Sequence, residues 1–113
     1  MSVVAPFPNP RDRRQIATFD RRELTRILDL YGRMVAAGHW RDYAISMSPE
    51  TALFAAFRRS SERPEIRIEK RPALRLKQGA FALIGEHGMV LKRGEELVNV
   101  LAPLERRLMR LVE

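Results

Sequence analysis

The sequence predicts an α+β fold in a single domain, with an N-terminal helix, an antiparallel meander of four to five strands and a C-terminal helix. Three observations support this prediction. Apolar residues recur at helical spacing near both ends of the chain, apolar and polar residues alternate between those ends, and glycine or proline residues separate the alternating segments. We therefore expect an antiparallel sheet with helices covering at least one of its faces.

The first helix is predicted to start at Asp20. Asp20 can cap the helix and Glu23 can reach back to the cap, while Phe19 and Leu24 can form a hydrophobic staple. Gly38 can adopt the left-handed backbone conformation that commonly ends a helix. The helical period indicates that the core-facing residues are Leu24, Ile27, Leu28, Tyr31, Met34 and Val35.

Five segments between the helices have the composition and alternation of strands. The second of them has apolar residues on both faces and should be central, although its alanine content leaves a helix as the rival interpretation. The last two are joined by residues 85–88, which include two glycines and predict a hairpin. The segments are 40–47, 51–59, 65–71, 80–84 and 89–93.

The C-terminal segment 95–112 carries leucines that step by four and three residues, which is the spacing of one helix face. Pro103 interrupts this stripe. Proline removes a backbone donor and costs about 3 kcal/mol inside a helix. We therefore expect either a kink at Pro103 or a second helix that starts there.

The length and composition indicate one domain in a reducing compartment. A chain of 113 residues can bury a sizeable core, and the absence of cysteine excludes disulfides, thiolate catalysis and cysteine-based zinc sites. The sequence has neither a signal peptide nor a run long enough to span a membrane, so we expect a cytoplasmic protein without membrane contact. Residues 1–17 are rich in proline and arginine and are expected to form a flexible arm before a domain at 18–113.

Several stretches resemble a known bacterial family. These are TFDRREL, YGRMVAAGHWRDYAI, FRRSSERPEIRIEKRPALRLKQGAF and the VLKRG that leads into LAPLERRL. Over about residues 18–113 they closely resemble the family catalogued as domain of unknown function 2794, which is known mainly from alphaproteobacteria. The resemblance implies one intracellular bacterial domain, and it brings no activity, ligand or catalytic residue with it.

The sequence contains no recognisable catalytic or cofactor-binding motif. His39 and His87 belong to no metal-ligand cluster, and the glycines form neither a P-loop nor a dinucleotide fingerprint. His39 with Asp42 could make an acid-base pair, but a histidine after a helix-ending glycine is more often structural. We expect no catalytic residue, no metal and no cofactor, and therefore a protein that is not an enzyme.

Basic residues concentrate in the middle third of a chain whose formal net charge is +7. Guanidinium groups can bind phosphates or carboxylates with two hydrogen bonds. However, a GC-rich genome would also produce a chain with eighteen arginines, without selection for binding. We interpret the chain as a binding or regulatory protein for nucleic acid or an acidic partner. The alternative is a structural homodimer or adaptor that acts through apolar sheet surface. The predicted anion-binding residues, expected to converge at one end of the sheet, are Arg58, Arg59, Arg63, Arg67, Arg71, Arg75 and Lys77.

Overall fold

The helices and strands follow the predicted order in the computed structural model, which describes residues 16–59 and 63–112. A short 3₁₀ turn lies between the third and fourth strands, and the C-terminal helical segment is divided in two. The elements are α1 (Arg21–Ala36), β1 (Asp42–Met47), β2 (Ala52–Phe57), β3 (Ile66–Lys70), the 3₁₀ turn (Pro72–Leu74), β4 (Phe81–Ile84), β5 (Val90–Gly94), α2 (Leu97–Val100) and α3 (Ala102–Val112).

The five strands form one sheet in chain order, and each strand is antiparallel to the next. The predicted α+β meander is thereby confirmed, as is the strand interpretation of the alanine-rich segment, which is paired on both sides. The register between β4 and β5 is irregular at Leu83 and Ile84. β1 and β5 are consequently the two edges of the sheet.

The ends of α1 form as the sequence predicts. The Glu23 N–H donates to Asp20 Oδ1 at 2.8 Å, and the Asp20 N–H donates to Glu23 Oε1 at 2.9 Å, which completes the capping box. Gly38 has a φ of +83°, a left-handed conformation that residues with a Cβ rarely adopt. This glycine ends the helix and turns the chain toward the sheet.

The buried side of α1 differs slightly from the predicted one. Ile27, Leu30 and Met34 are buried, whereas the predicted core residue Val35 is 41% exposed. Leu28 and four other predicted positions pack partly or fully against the core. The inclusion of Val35 was wrong because the sheet lies under the 27–30–34 stripe, and Val35 lies at its flank.

The three helices of the described residues cover the same face of the sheet. Phe54, Ile68 and Leu83 from three neighbouring strands are fully buried on that face, together with Trp40. They join one apolar cluster with the leucines of α2 and α3. α3 begins at Ala102 and has Pro103 in its first turn, where a missing N–H breaks no helical bond, so the prediction of a second helix is confirmed.

The predicted arm lies almost wholly outside the described residues, since only Ile16 and Ala17 belong to the described part. Ala17 is buried, and its N–H donates to the Ser48 carbonyl oxygen at 3.0 Å. None of the described helices is long and apolar enough to cross a bilayer.

An ion pair joins α1 to α3. Arg33 Nη1 and Nη2 donate to the two carboxylate oxygens of Glu105 at 2.8 and 2.9 Å. These hydrogen bonds hold the pKa of Glu105 below its usual value of 4.5, although partial burial opposes the shift. The pair therefore links the two helices only while Glu105 is ionised.

We expect Leu30→Ala to lower the free energy of unfolding by roughly 2 to 5 kcal/mol, because it leaves a cavity under α1. Leu28→Ala should cost clearly less, since Leu28 is only partly buried. Urea unfolding of both variants measures the difference. Equal losses would contradict the observed orientation of α1.

The stabilising effect of Glu105 should depend on pH. The lowered pKa in the folded state means that the pair contributes fully above pH 4.5 and that its contribution disappears as pH falls through the folded-state pKa. Because both side chains are partly exposed, Glu105→Gln should cost at most about 1 kcal/mol at pH 7. Urea unfolding from pH 7 to pH 3 should show the two proteins converging, and a constant difference would refute the assignment.

Candidate anion-binding site

The second face of the sheet has no helix over it in the described part of the chain. Strand alternation places Leu53, Ala55 and Phe57 of β2 on this face, together with Ala82 and Ile84 of β4, and β3 lies between the two sets. Ala55 and Ala82 are buried but lie outside the apolar cluster beneath the helices. We call this surface the open face.

A short row of ion pairs crosses the open face. Glu69 of β3 and Arg93 of β5 are the two cross-strand neighbours of Ala82, and they approach each other to 3.7 Å above it. Arg71 contacts the same carboxylate at 3.5 Å. The bridge explains why Ala82 has no exposed surface although none of the described helices covers it. Arg93 is not among the predicted anion-binding residues, because only the strand register brings it beside Glu69.

The seven predicted basic residues do not converge at one end of the sheet. Arg58, Arg59 and Arg63 lie at the end where β2 turns into β3, whereas Arg75 and Lys77 lie in the connection after β3. The five residues of β3 separate these groups by roughly 17 Å, at about 3.3 Å per residue. The predicted convergence was wrong because the set includes both ends of one strand.

One group does form a continuous basic surface, which we call the basic end. It surrounds a depression of about 550 Å³ that is lined by residues 63, 64, 67, 86 and 87. A neighbouring depression of about 410 Å³ shares Arg63 and Glu86 with it. The β4–β5 hairpin reaches this end because Ile84 pairs with Arg67. The basic end consists of Arg58, Arg59, Arg63, Arg67 and His87.

The positive charge of the basic end is only partly neutralised by described residues. Arg58 Nη2 lies 3.0 Å from Glu86 Oε1, in a pair whose partners are both partly exposed. Glu86 is the single described carboxylate that lines either depression. Four guanidinium groups therefore face one carboxylate within the described residues, so an added anion would be attracted there.

The remaining predicted residues lie elsewhere. Arg71 is half-buried and contacts Glu69 at 3.5 Å and Glu50 at 3.9 Å. Lys70, which falls in the same basic stretch, is on the helix-covered face and contacts Glu23 Oε1 at 2.7 Å. These two side chains hold parts of the fold together. Arg75 and Lys77 are exposed at the far end.

The histidine and glutamate candidates for acid-base chemistry take part in structural contacts. Trp40 Nε1 donates to Glu65 Oε1 at 2.6 Å, and Arg107 lies 3.0 Å from the other Glu65 oxygen. Arg107 Nη2 also lies 2.8 Å from His39 Nδ1. Glu65 therefore turns toward Trp40 and does not join Glu69 on the open face. The described side-chain partner of His39 is thus Arg107 and not Asp42.

A larger open groove of about 950 Å³ lies between α1 and the start of α2. Three arginines and five carboxylates line it, so its charge does not favour an anion. Within the described residues, no group of three or more histidine or acidic side chains could hold a metal ion. The basic end is thus the surface with the most distinct chemistry.

Comparison with known proteins identifies the family. The model of the family described as "Protein of unknown function (DUF2794)" matches residues 17–101, which is 85 of the 113 residues. The chain belongs to this family. No curated protein and no solved structure matches it at a significant level.

Glu65 should be important for stability. Glu65→Ala leaves the Trp40 N–H without its acceptor inside the fold and frees Arg107, so we expect a loss of roughly 1 to 3 kcal/mol. Glu65→Gln retains an oxygen for Trp40 and should cost less. Denaturant unfolding can be followed by fluorescence because Trp40 is the only tryptophan. If alanine were as well tolerated as glutamine, the bond to Trp40 would not contribute.

Proposed function

We propose that this member of the DUF2794 family is a small cytoplasmic binding or regulatory protein without catalytic activity, and that its basic end binds single-stranded nucleic acid. The observation that carries the proposal is the grouping of four arginines around one described carboxylate at the end of an open sheet face. Binding there requires no metal or cofactor.

The electrostatics of the basic end support a polyanionic ligand. Arg59 and Arg63 are exposed, and neither makes an ion pair with another described residue. A phosphate that contacts such a guanidinium releases condensed counterions, which is a major driving force for nucleic-acid binding. Neighbouring phosphates can be held by neighbouring arginines, so a chain of phosphates fits this surface better than a single anion does.

The adjoining open face supports a single strand over a duplex. Phe57 is half-buried next to Arg58, and Arg67 lies on β3 at the same end. Aromatic rings and guanidinium planes both stack with unpaired bases. In contrast, the described helices pack on the opposite face, so none of them is placed to enter the major groove of a duplex at this end.

The alternative of a homodimer or adaptor that stacks through apolar sheet surface receives less support from the open face. Leu53, Phe57 and Ile84 are apolar, but Arg67 and the bridge between Glu69 and Arg93 lie among them. Stacking two such faces would remove these charged side chains from water, and the desolvation penalty opposes it. A charged ligand suits this mixture better.

The experiment is a fluorescence-anisotropy titration at low salt with mixed-sequence single-stranded RNA, single-stranded DNA and duplex DNA. We expect the single strands to bind at micromolar protein and more tightly than the duplex. The affinity should fall as salt rises, with a log-log slope of about −0.7 per phosphate contact. An acidic polypeptide that binds while the nucleic acids do not would replace this proposal with an acidic protein partner.

A pair of charge-reversal variants tests the location. Arg59→Glu/Arg63→Glu at the basic end should weaken binding and make the log-log slope shallower by about 1.4, as expected for two lost contacts. The matched control is Arg75→Glu/Lys77→Glu at the far end. Both double variants change the net charge from +7 to +3, because each reversal removes two charges.

Equal losses in the two double variants would show that binding follows net charge and would contradict a site at the basic end. The altered side chains are exposed, so both variants should melt within a few degrees of the parent protein. A stable parent that binds no single strand at low salt would refute the proposal as a whole.

A further inference from the structure

The two edges of the sheet differ in how well they are protected against pairing with another chain. β5 carries Lys92 and Arg93 and has an irregular register against β4, features that oppose strand addition. β1 has six residues, regular pairing with β2 and no charge after Asp42. Among the described residues, the β1 edge therefore lacks the usual protection.

The outward backbone groups of β1 can be identified from hydrogen bonds. The Tyr43 N–H donates to its neighbour Asp42 Oδ1 at 2.8 Å, so the backbone of Tyr43 faces away from β2. Because this direction alternates along an antiparallel strand, Ile45 and Met47 also direct their N–H and C=O groups outward. Within the described residues, no strand lies beyond them.

The side chains next to this edge are apolar and exposed. Tyr43 is 42% exposed and Met47 is 47% exposed, and Ile45 lies between them on the same face. The strip continues onto α1, where Tyr31 packs edge-on against Tyr43 with the ring centres 4.9 Å apart. Val35 follows Tyr31 by one helical turn and is also exposed.

We propose that β1 pairs with β1 of a second copy of this chain, in an antiparallel arrangement about a two-fold axis through Ile45. The backbone N–H of each Ile45 would then donate a hydrogen bond to the backbone C=O of the other Ile45. Each Met47 N–H would donate to the Tyr43 carbonyl of the partner, which leaves the bond between Tyr43 and Asp42 intact. The two five-stranded sheets become one continuous sheet of ten strands.

The side chains are self-complementary in this register. Each Tyr43 lies opposite Met47 of the other copy, and a thioether against an aromatic ring is a favourable contact. Charge also matches, because Arg41 of one copy comes beside the β1–β2 turn of the other, which carries Glu50. Arg41 is exposed and has no ion pair with a described residue, while the Glu50 side chain is 83% exposed. The two-fold axis generates the Tyr43–Met47 contact and the Arg41–Glu50 contact twice in the dimer.

The first measurement is sedimentation equilibrium over a range of protein concentrations. We expect about twice the 13.1 kDa mass of one chain at micromolar protein. This proposal does not depend on nucleic-acid binding, so the experiment is done without nucleic acid. A protein that stays monomeric at all concentrations up to the millimolar range would overturn it.

Three matched substitutions then locate the interface. Met47→Lys places a charge on the β1 edge, and we expect the dimer dissociation constant to rise roughly tenfold or more, as for an interface residue that contributes substantially to binding. Met89→Lys beside β5 and Met109→Lys on α3 make the same change at positions that are 65% and 67% exposed. Neither should alter the dimer. A dimer that resists Met47→Lys or is lost in either control contradicts pairing through β1.

A charge exchange provides a test that does not alter the apolar strip. Arg41→Glu alone and Glu50→Arg alone should each weaken the dimer. The double variant should recover the parent affinity, because the two charges exchange places and still attract each other. Circular dichroism melting at protein concentrations below the dimer dissociation constant should leave the midpoint of Arg41→Glu unchanged and shift that of Glu50→Arg by at most a few degrees, since Glu50 has only a long contact with Arg71. Recovery in the double variant supports the two-fold register, and additive losses would refute it.

Discussion

One-sided burial of the sheet is the constraint on which the rest of this structure depends. The strands direct alternate side chains to a face where Phe54, Ile68 and Leu83 are fully buried under the helices. α1 contributes Leu30 and Met34 to the same cluster, and α2 and α3 extend it. Since the described helices all pack on this face, none of them covers the other face. The positions of charged residues then determine the character of that surface.

The carboxylates of the described chain are distributed unevenly, and this distribution creates the basic end. Glu23 forms an ion pair with Lys70, and Glu65 forms one with Arg107. Glu69 forms ion pairs with two arginines. These pairs join helices to strands or strands to one another, so they neutralise arginines in the interior of the sheet and along its connections. The β2–β3 end has one described carboxylate among its lining residues. A protein with a net charge of +7 thus concentrates part of that charge at one place.

The sheet presents two kinds of free surface that suit different partners. The open face combines flat apolar positions with arginines, a combination that is compatible with stacked bases and phosphates. Within the described residues, no strand pairs with the outward backbone groups of β1, and the apolar strip beside them is uncharged, which is compatible with another strand. The open face and the β1 edge border each other but do not coincide.

The sequence by itself determined the order of elements, the ends of α1, the break at Pro103 and the strand nature of the alanine-rich segment. Each of these follows from interactions between residues close in the chain, such as the capping box of Asp20 and Glu23. The family resemblance also came from the sequence, and the match over residues 17–101 supports it.

Only the tertiary structure decided which of the predicted basic residues lie together and which residues pair with them. Arg63 and Arg71 are close in sequence but lie at opposite ends of β3, whereas Arg67 and Ile84 are distant in sequence and directly paired. Val35 fits the helical period as well as Leu30 does, yet only Leu30 is buried. Periodicity indicates which side of an element is apolar, but the position of the neighbouring strand or helix determines what each side chain contacts. A linear pattern does not contain that distance information.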